Sequence, residues 1–162
     1  MKRRKRRRRA RGSNISFADS YDRVAVWFMR AVVYTEAGEL WLKTSREVPQ
    51  CLVGVEGFEK YFEGDDLNVT QKEMKDIKQL FKKHLPKLER RAKKHCGVVC
   101  RNVGFLGDLM DLEEVDREIF AFFVYVHSNE PLEELFQKGG GATQQSAAFF
   151  LSRVLGYEVK EV

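Results

Sequence analysis

Apolar residues along most of this chain recur at the three-four spacing of helices that bury one face. One such pattern spans Phe17 to Tyr34, at Tyr21, Val24, Ala25, Phe28, Ala31 and Val32. A second follows Thr70-Gln71-Lys72-Glu73, whose Thr and Glu fit a capping box at a helix start. Its apolar positions are Met74, Ile77, Phe81, Leu85 and Leu88. We predict two helices here, the second kinked or split at Pro86, because proline lacks the backbone N–H.

Three more helices are indicated after residue 110. Asp111-Leu112-Glu113-Glu114 begins a helix over 115–126 that is apolar on nearly all sides, and we predict that it forms the centre of the core. Asn129 caps a short helix with Pro131 in its first turn, ended by three glycines. Thr143 caps another that Gly156 stops. The predicted fold is mainly α.

The segment 35–66 has no clear period, because Glu39 to Lys43 alternates briefly, Pro49 interrupts, and four glycines separate short apolar pieces. We expect a minor irregular or β segment there. The C-terminal part has the pattern of a helix-turn-helix or winged-helix-like unit around Leu155-Gly156. The would-be recognition helix carries Glu158, Lys160 and Glu161, and since phosphate repels its two acids, a structural helix pair is favoured over a DNA reader.

Charge divides the chain near Gly12. Residues 1–12 hold nine Lys/Arg and no acid, which leaves 20 basic and 24 acidic residues for 13–162. We expect 1–12 to be a disordered basic arm, 13–100 an N-terminal helical region, and 101–162 a helix-turn-helix-like region that is truncated. Cationic side chains on the arm are candidates for binding nucleic-acid phosphates: Lys2, Arg3, Arg4, Lys5, Arg6, Arg7, Arg8, Arg9 and Arg11.

Two alternatives stay open for these charges. If the arm does not bind nucleic acid, it is a solvated tail or the product of a wrongly chosen translation start. Residues 72–94 are also basic, with ten Lys/Arg and three acids, but 108–118 carries six acids and one Arg that would neutralise them within the fold.

Catalytic and metal chemistry find little support in the residues. A phosphate loop requires a Gly-Lys pair, and the chain has none; Lys138 to Thr143 has the right residue types in the wrong order and favours a flexible linker. His95, Cys96 and Cys100 lack the second pair that a zinc site needs, unless Cys51 and His84 join them in the fold, so we predict small buried thiols. His127 fits a helix end or a polar core position better than a general base. We therefore predict no catalytic residue, no metal and no cofactor.

The longest unbroken apolar run, Ile119 to Val126, has eight residues, far fewer than a bilayer span needs. The odd number of cysteines, three, is typical of reduced thiols. We expect a soluble, cytoplasmic protein without a membrane partner.

The stretch Arg101 to Phe136 resembles a segment of the N-terminal region of bacterial AAA-family ATPases of the cell-division-cycle type. The matching positions are Arg101-Asn102, Phe105-Leu106, Leu109, Leu112, Asp116 to Ile119, Phe122 and Pro131-Leu132. The likeness continues from Ala147 to Val162 through Leu155-Gly156 and Glu158-Val159. It implies a helix beginning at the Arg-Asn pair, and a position ahead of an ATPase core whose catalytic residues have no counterpart here.

The resemblance therefore implies a non-catalytic regulatory or partner-binding region, present as a fragment, a truncated product or one half of a split gene. Its expected partner is a protein client or the ATPase core of the same machine, which would use ATP to remodel macromolecules. The alternative function is a small basic-armed, helix-turn-helix-like protein that binds nucleic acid.

Overall fold

The computed structural model describes residues 18–45, 48–61, 69–94 and 97–158. These residues form seven α-helices and no strand, so the predicted mainly α fold is confirmed. Two short 3₁₀ turns, Gln50–Leu52 and Glu59–Tyr61, follow the second helix, and one π-helical turn, Ser152–Gly156, ends the last. The α-helices are α1 (Ala18–Tyr34), α2 (Glu36–Thr44), α3 (Gln71–Lys94), α4 (Val98–Leu109), α5 (Glu114–Val126), α6 (Glu130–Gly139) and α7 (Gln144–Leu151).

The centre of the core is α1. Helices α2, α3 and α6 and the π-helical turn all pack against it. Every residue from Val24 to Val33 is buried except Arg30. The sequence pattern predicted one buried face, but Val26, Trp27 and Met29 on the other faces are buried as well. Such a helix is covered on all sides.

Helix α5, the predicted centre, lies nearer the edge of the fold. It buries Phe122 and Val126 but leaves Phe120 and Val124 more than a third exposed. The prediction was wrong because apolar residues on several faces of a helix do not reveal how many neighbours cover it.

Helix α3 is amphipathic as predicted, with its capping box formed. The Glu73 amide donates to Thr70 Oγ1 at 3.3 Å, and the Thr70 amide donates to Glu73 Oε2 at 2.8 Å. Bonds from the Thr70 hydroxyl and amide hold the pKa of the Glu73 carboxyl below its usual range. All five predicted apolar positions are buried.

Pro86 does not split α3, which runs unbroken from Gln71 to Lys94. The ring of Pro86 lies on the exposed side of the helix, as does Lys82 one turn earlier. Residue 82, whose carbonyl proline leaves without its usual N–H, is therefore not enclosed by the core.

The segment expected to be irregular or β contains α2 instead. Thr35 caps this helix by accepting a hydrogen bond from the Gly38 amide at 3.2 Å. Ala37, Trp41 and Leu42 are buried at helical spacing, which the brief alternation from Glu39 to Lys43 obscured. The rest of the described part of 35–66 contains the two 3₁₀ turns.

The predicted caps of the last two α-helices are confirmed. Asn129 Oδ1 accepts from the Leu132 amide at 3.2 Å at the start of α6. Thr143 and Ser146 bond reciprocally at the start of α7, each side chain accepting from the other's amide. Buried residues on both sides of position 100 belong to one hydrophobic cluster, in which the rings of Trp27 and Phe122 lie 5.4 Å apart edge to face.

Gly38 allows α2 to approach the backbone of α1. A Cβ at this position would lie 2.2 Å from Val32 Cα and 2.4 Å from the Ala31 oxygen, far inside contact distance. By contrast, a Cβ on Gly104 of α4 would meet no atom within 4 Å. Close packing therefore requires glycine at position 38 but not at position 104.

Replacing Gly38 by alanine should destabilise the fold by at least about 2 kcal/mol, because the new methyl group forces α2 away from α1. Gly104→Ala is the matched control and should stabilise by roughly 0.5–1 kcal/mol through helix propensity alone. Urea unfolding followed by circular dichroism measures both. Equal stability of the Gly38→Ala variant and the unmodified chain would contradict this packing of α2 on α1.

Candidate interaction surfaces

The nine arm cations, Lys2 to Arg11, lie outside the described residues. Two ion pairs fix the first turns of α1, to which the arm is attached. Asp22 Oδ1 lies 2.9 Å from Arg91 Nη2, near the end of α3, and Arg23 Nη2 lies 2.7 Å from Glu118 Oε1 on α5. The start of α1 therefore lies close to the C-terminal end of α3.

Exposed lysines and arginines run along the solvent side of α3. We call this set the basic face of α3, and it comprises Lys72, Lys75, Lys82, Lys83, Lys87, Arg90, Lys93 and Lys94. The other two cations of the helix are in ion pairs, Lys78 with Glu39 and Arg91 with Asp22. Of the three acids on α3, Glu73 caps the helix and Glu89 binds Arg30 at 2.8 Å. Most of the positive charge of α3 therefore faces solvent.

The acidic segment 108–118 forms its ion pairs elsewhere. Asp108 Oδ1 lies 2.6 Å from Arg117 Nη1 within the segment, and Glu118 pairs with Arg23 of α1. Within the described ranges, no ion pair joins this segment to α3. Direct pairing of the two segments, which the sequence left open, is thus not how the fold arranges these charges.

Helix α4 exposes large apolar side chains over its last two turns. Phe105 is 67% exposed, Leu109 68% and Met110 65%, with Leu106 at 40% beside them. Only Val103 and Gly107 of this helix are buried, and its main packing partner is α5. We call these four residues the apolar face of α4.

The sequence analysis missed this face because it used Phe105, Leu106 and Leu109 only as matching positions of the family resemblance. A signal was present: by helical spacing, Phe105 and Leu109 lie about 120° around α4 from Val99 and Val103, so the helix has apolar residues on two sides. A helix at the edge of a fold can bury only one of two such sides. The helix begins at Val98, three residues before the Arg-Asn pair at which the resemblance placed its start.

The glycine run after Lys138 is a close-packed turn rather than a flexible linker. A Cβ on Gly139 would lie 2.4 Å from Phe150 Cδ2, and one on Gly140 would lie 2.7 Å from Phe136 Cε2. The Gly140 amide donates to the Phe136 carbonyl at 2.6 Å, so this N–H is already used by the end of α6. A phosphate cradle needs such amides free.

The cysteines and histidines do not come together in the described residues. Cys51 is buried in the first 3₁₀ turn, as predicted, whereas Cys100 on α4 is only half-buried. His84 is half-buried on α3, and His127 is exposed at the end of α5. Cys96 and His95 lie outside the described residues. Over the described ranges, no group of three or more His, Cys, Asp or Glu is placed to hold a metal ion.

Arg30 joins the C-terminal turn to the core. Its guanidinium donates to the Leu155 carbonyl at 2.6 Å, to the Val154 carbonyl at 3.2 Å and to Glu89 Oε1. It lines a cleft of about 460 Å³ beside the π-helical turn. These bonds already occupy the guanidinium of Arg30, and the second cation of the cleft, Arg153, lies over the Phe149 ring at 5.2 Å.

The second helix of the expected helix-turn-helix is not seen in the part of the chain that the structure describes. Gly156 ends the π-helical turn with φ +85°, as a stop signal should. Tyr157 then has extended backbone, at φ −101° and ψ 165°. Lys160 and Glu161 lie outside the described residues, so a recognition helix there stays a prediction.

No protein-family model, no curated protein and no solved structure matches this chain. Among the described residues, no helix is both long enough and apolar enough to cross a membrane.

Cys51 should resist thiol reagents in the folded chain. Burial raises the pKa of its thiol to about 12, and the thiolate is the reactive form. In single-cysteine variants at pH 8, iodoacetamide should modify Cys100 readily and Cys51 only after unfolding in urea. Equal rates for the two thiols in the folded state would show that Cys51 is not buried.

The same raised pKa has a consequence for stability. Unfolded Cys51 ionises above its ordinary value of 9.0, whereas the folded thiol stays protonated up to about 12. Its contribution to the free energy of unfolding is therefore present below pH 9 and is lost between pH 9 and about 12. The stability difference between the unmodified chain and Cys51→Ala should shrink over that range.

Proposed function

We propose that this chain is a non-catalytic, partner-binding region that works with an AAA-type ATPase core. The core would use ATP to remodel other macromolecules, and this region would dock on the core or hold its client. The observation that carries the proposal is the apolar face of α4, which lies within the stretch that resembles the pre-core segment of those ATPases.

Contiguous apolar surface of this kind favours a protein partner. Single exposed apolar residues are ordinary, but large side chains grouped on one helix face typically mark an interaction site. Phe105, Leu109 and Met110 are each about two-thirds exposed, so a partner that covers them removes most of their surface from water. Methionine and phenylalanine are also enriched at such interfaces.

The surroundings of the face indicate the character of the partner. Asp108 on α4, Asp111 and Glu113 in the loop that leads to α5, and Glu114 at the start of α5 are all exposed. The Asp108 side chain is 75% exposed and is held by Arg117. An apolar helix with basic flanks would fit this surface, its anchors covering the α4 side chains while its cations meet the acidic rim.

Two observations lead us to propose no catalysis for this chain, one from the sequence and one from the glycine turn. The chain has no Gly-Lys pair for a phosphate loop. The run Gly139 to Gly141 is packed against Phe136, Phe150 and Gln137, and the Gly140 amide donates to the Phe136 carbonyl at the end of α6. Nucleotide binding is accordingly assigned to the partner core.

Nucleic-acid binding by a helix-turn-helix, the other function expected from the sequence, gains no support from the extended backbone at Tyr157. The basic face of α3 is the observation that bears on nucleic acid instead.

The partner proposal can be tested by site-specific crosslinking. The photoreactive residue benzoylphenylalanine would replace Phe105 or Leu109 in the full chain, and Val53 in a control, because Val53 is 63% exposed outside α4. After irradiation in an extract of the source cells, we expect both α4 positions to crosslink to a protein with a Gly-Lys-Ser/Thr phosphate loop. The Val53 variant should not, and mass spectrometry identifies the linked peptides.

Two outcomes would contradict the proposal: the same crosslinks from Val53 as from α4, or α4 crosslinks only to a second copy of this chain. Misfolding is checked separately. Since the replaced side chains are exposed, the free energy of unfolding should change by no more than about 0.5 kcal/mol.

A further inference from the structure

We propose that the basic face of α3 binds the phosphate backbone of a double-stranded nucleic acid without reading its sequence. This surface shares no residue with the apolar face of α4, and the proposal is independent of the ATPase partner.

The first support is geometric. The cations occur on nearly every turn of one unbroken helix, from Lys72 to Lys94. A helix of 24 residues is about 36 Å long, which matches roughly ten base pairs of a duplex. Packing of α3 on α1 holds the helix in place, so the backbone positions that carry the charges form a fixed row.

The second support is that the charges are free to act. The eight members of the basic face are exposed and form no ion pair with other described residues. Asp76 is the one exposed acid on the helix, since Glu73 and Glu89 are half-buried and already bonded. Each lysine or arginine that meets a phosphate releases a condensed counterion, and this release drives sequence-independent binding.

The same helix disfavours the other common polyanion, a lipid surface. Helices that lie on membranes insert an apolar face beside their cations. In α3 that face, which includes Met74, Phe81 and Leu88, is buried against the rest of the fold. The exposed side of α3 has no aromatic residue on which unpaired bases could stack, which favours a duplex over a single strand.

The experiment measures binding of the full chain to labelled DNA and RNA duplexes of mixed sequence, about 20 base pairs long, over a range of salt concentrations. The test variant replaces Lys75, Lys82, Lys83 and Lys87 by glutamine. The matched control makes the same change of charge at exposed cations elsewhere, by replacing Lys43, Lys60, Arg101 and Lys138 with glutamine. A third variant lacks residues 2–11, and vesicles with anionic lipid serve as the competing polyanion.

We expect the test variant to bind on the order of tenfold or more weakly than the control, with the slope of log K against log salt reduced by about 3. Binding should be similar across unrelated sequences and should persist, though weaker, without the arm. The relative affinities for the DNA and the RNA duplex show which is preferred, and binding to either through α3 supports the proposal. Equal binding by test and control variants would overturn it. So would complete loss on deleting the arm, or a test variant impaired only toward vesicles.

Discussion

Enclosure of α1 on all sides is the constraint on which the rest of this structure depends. An apolar helix with no solvent face must be covered by several others, and α2, α3, α6 and the π-helical turn supply that cover. Arg30 is the one residue between Val24 and Val33 that is not buried, and its guanidinium forms hydrogen bonds to neighbouring elements. It binds Glu89 of α3 and the Val154 and Leu155 carbonyls, and so links the central helix to two parts of its shell. Gly38 lets α2 reach the backbone of α1, which no larger residue at that position would allow.

The shell determines which surfaces remain for other molecules. Because the whole apolar face of α3 packs against the core, only its polar side is exposed to solvent, and that side is basic. Helix α4 lies outside the shell and packs mainly on α5, so apolar residues that no neighbour covers are left on its far side. Both surfaces thus follow from which helices cover α1 and which do not. They differ in chemistry because α3 has one apolar side and α4 has two.

Features set by a few neighbouring residues could be predicted from the sequence. The caps at Thr70, Asn129 and Thr143 depend on side chains that bond to amides three residues away, and all three form as predicted. The buried face of α3 follows from its spacing alone. The central position of α1, the helix α2 and the exposed face of α4 were not predicted, because each depends on which distant segment lies opposite. The same holds for the charges: nearness in sequence suggested that 108–118 neutralises α3, whereas the paired cations of α3 contact Asp22 and Glu39.

Separation of charge bears on how the two proposed activities would combine. Residues 97–158 contain ten acids against four Lys/Arg, whereas α3 and the arm are strongly basic. On these proposals, a duplex would be attracted to α3 and repelled by the acidic surroundings of the α4 face. A partner with basic flanks would be guided in the opposite sense, toward α4 and away from α3. The two proposed partners would then not compete, because each surface would attract one of them and repel the other.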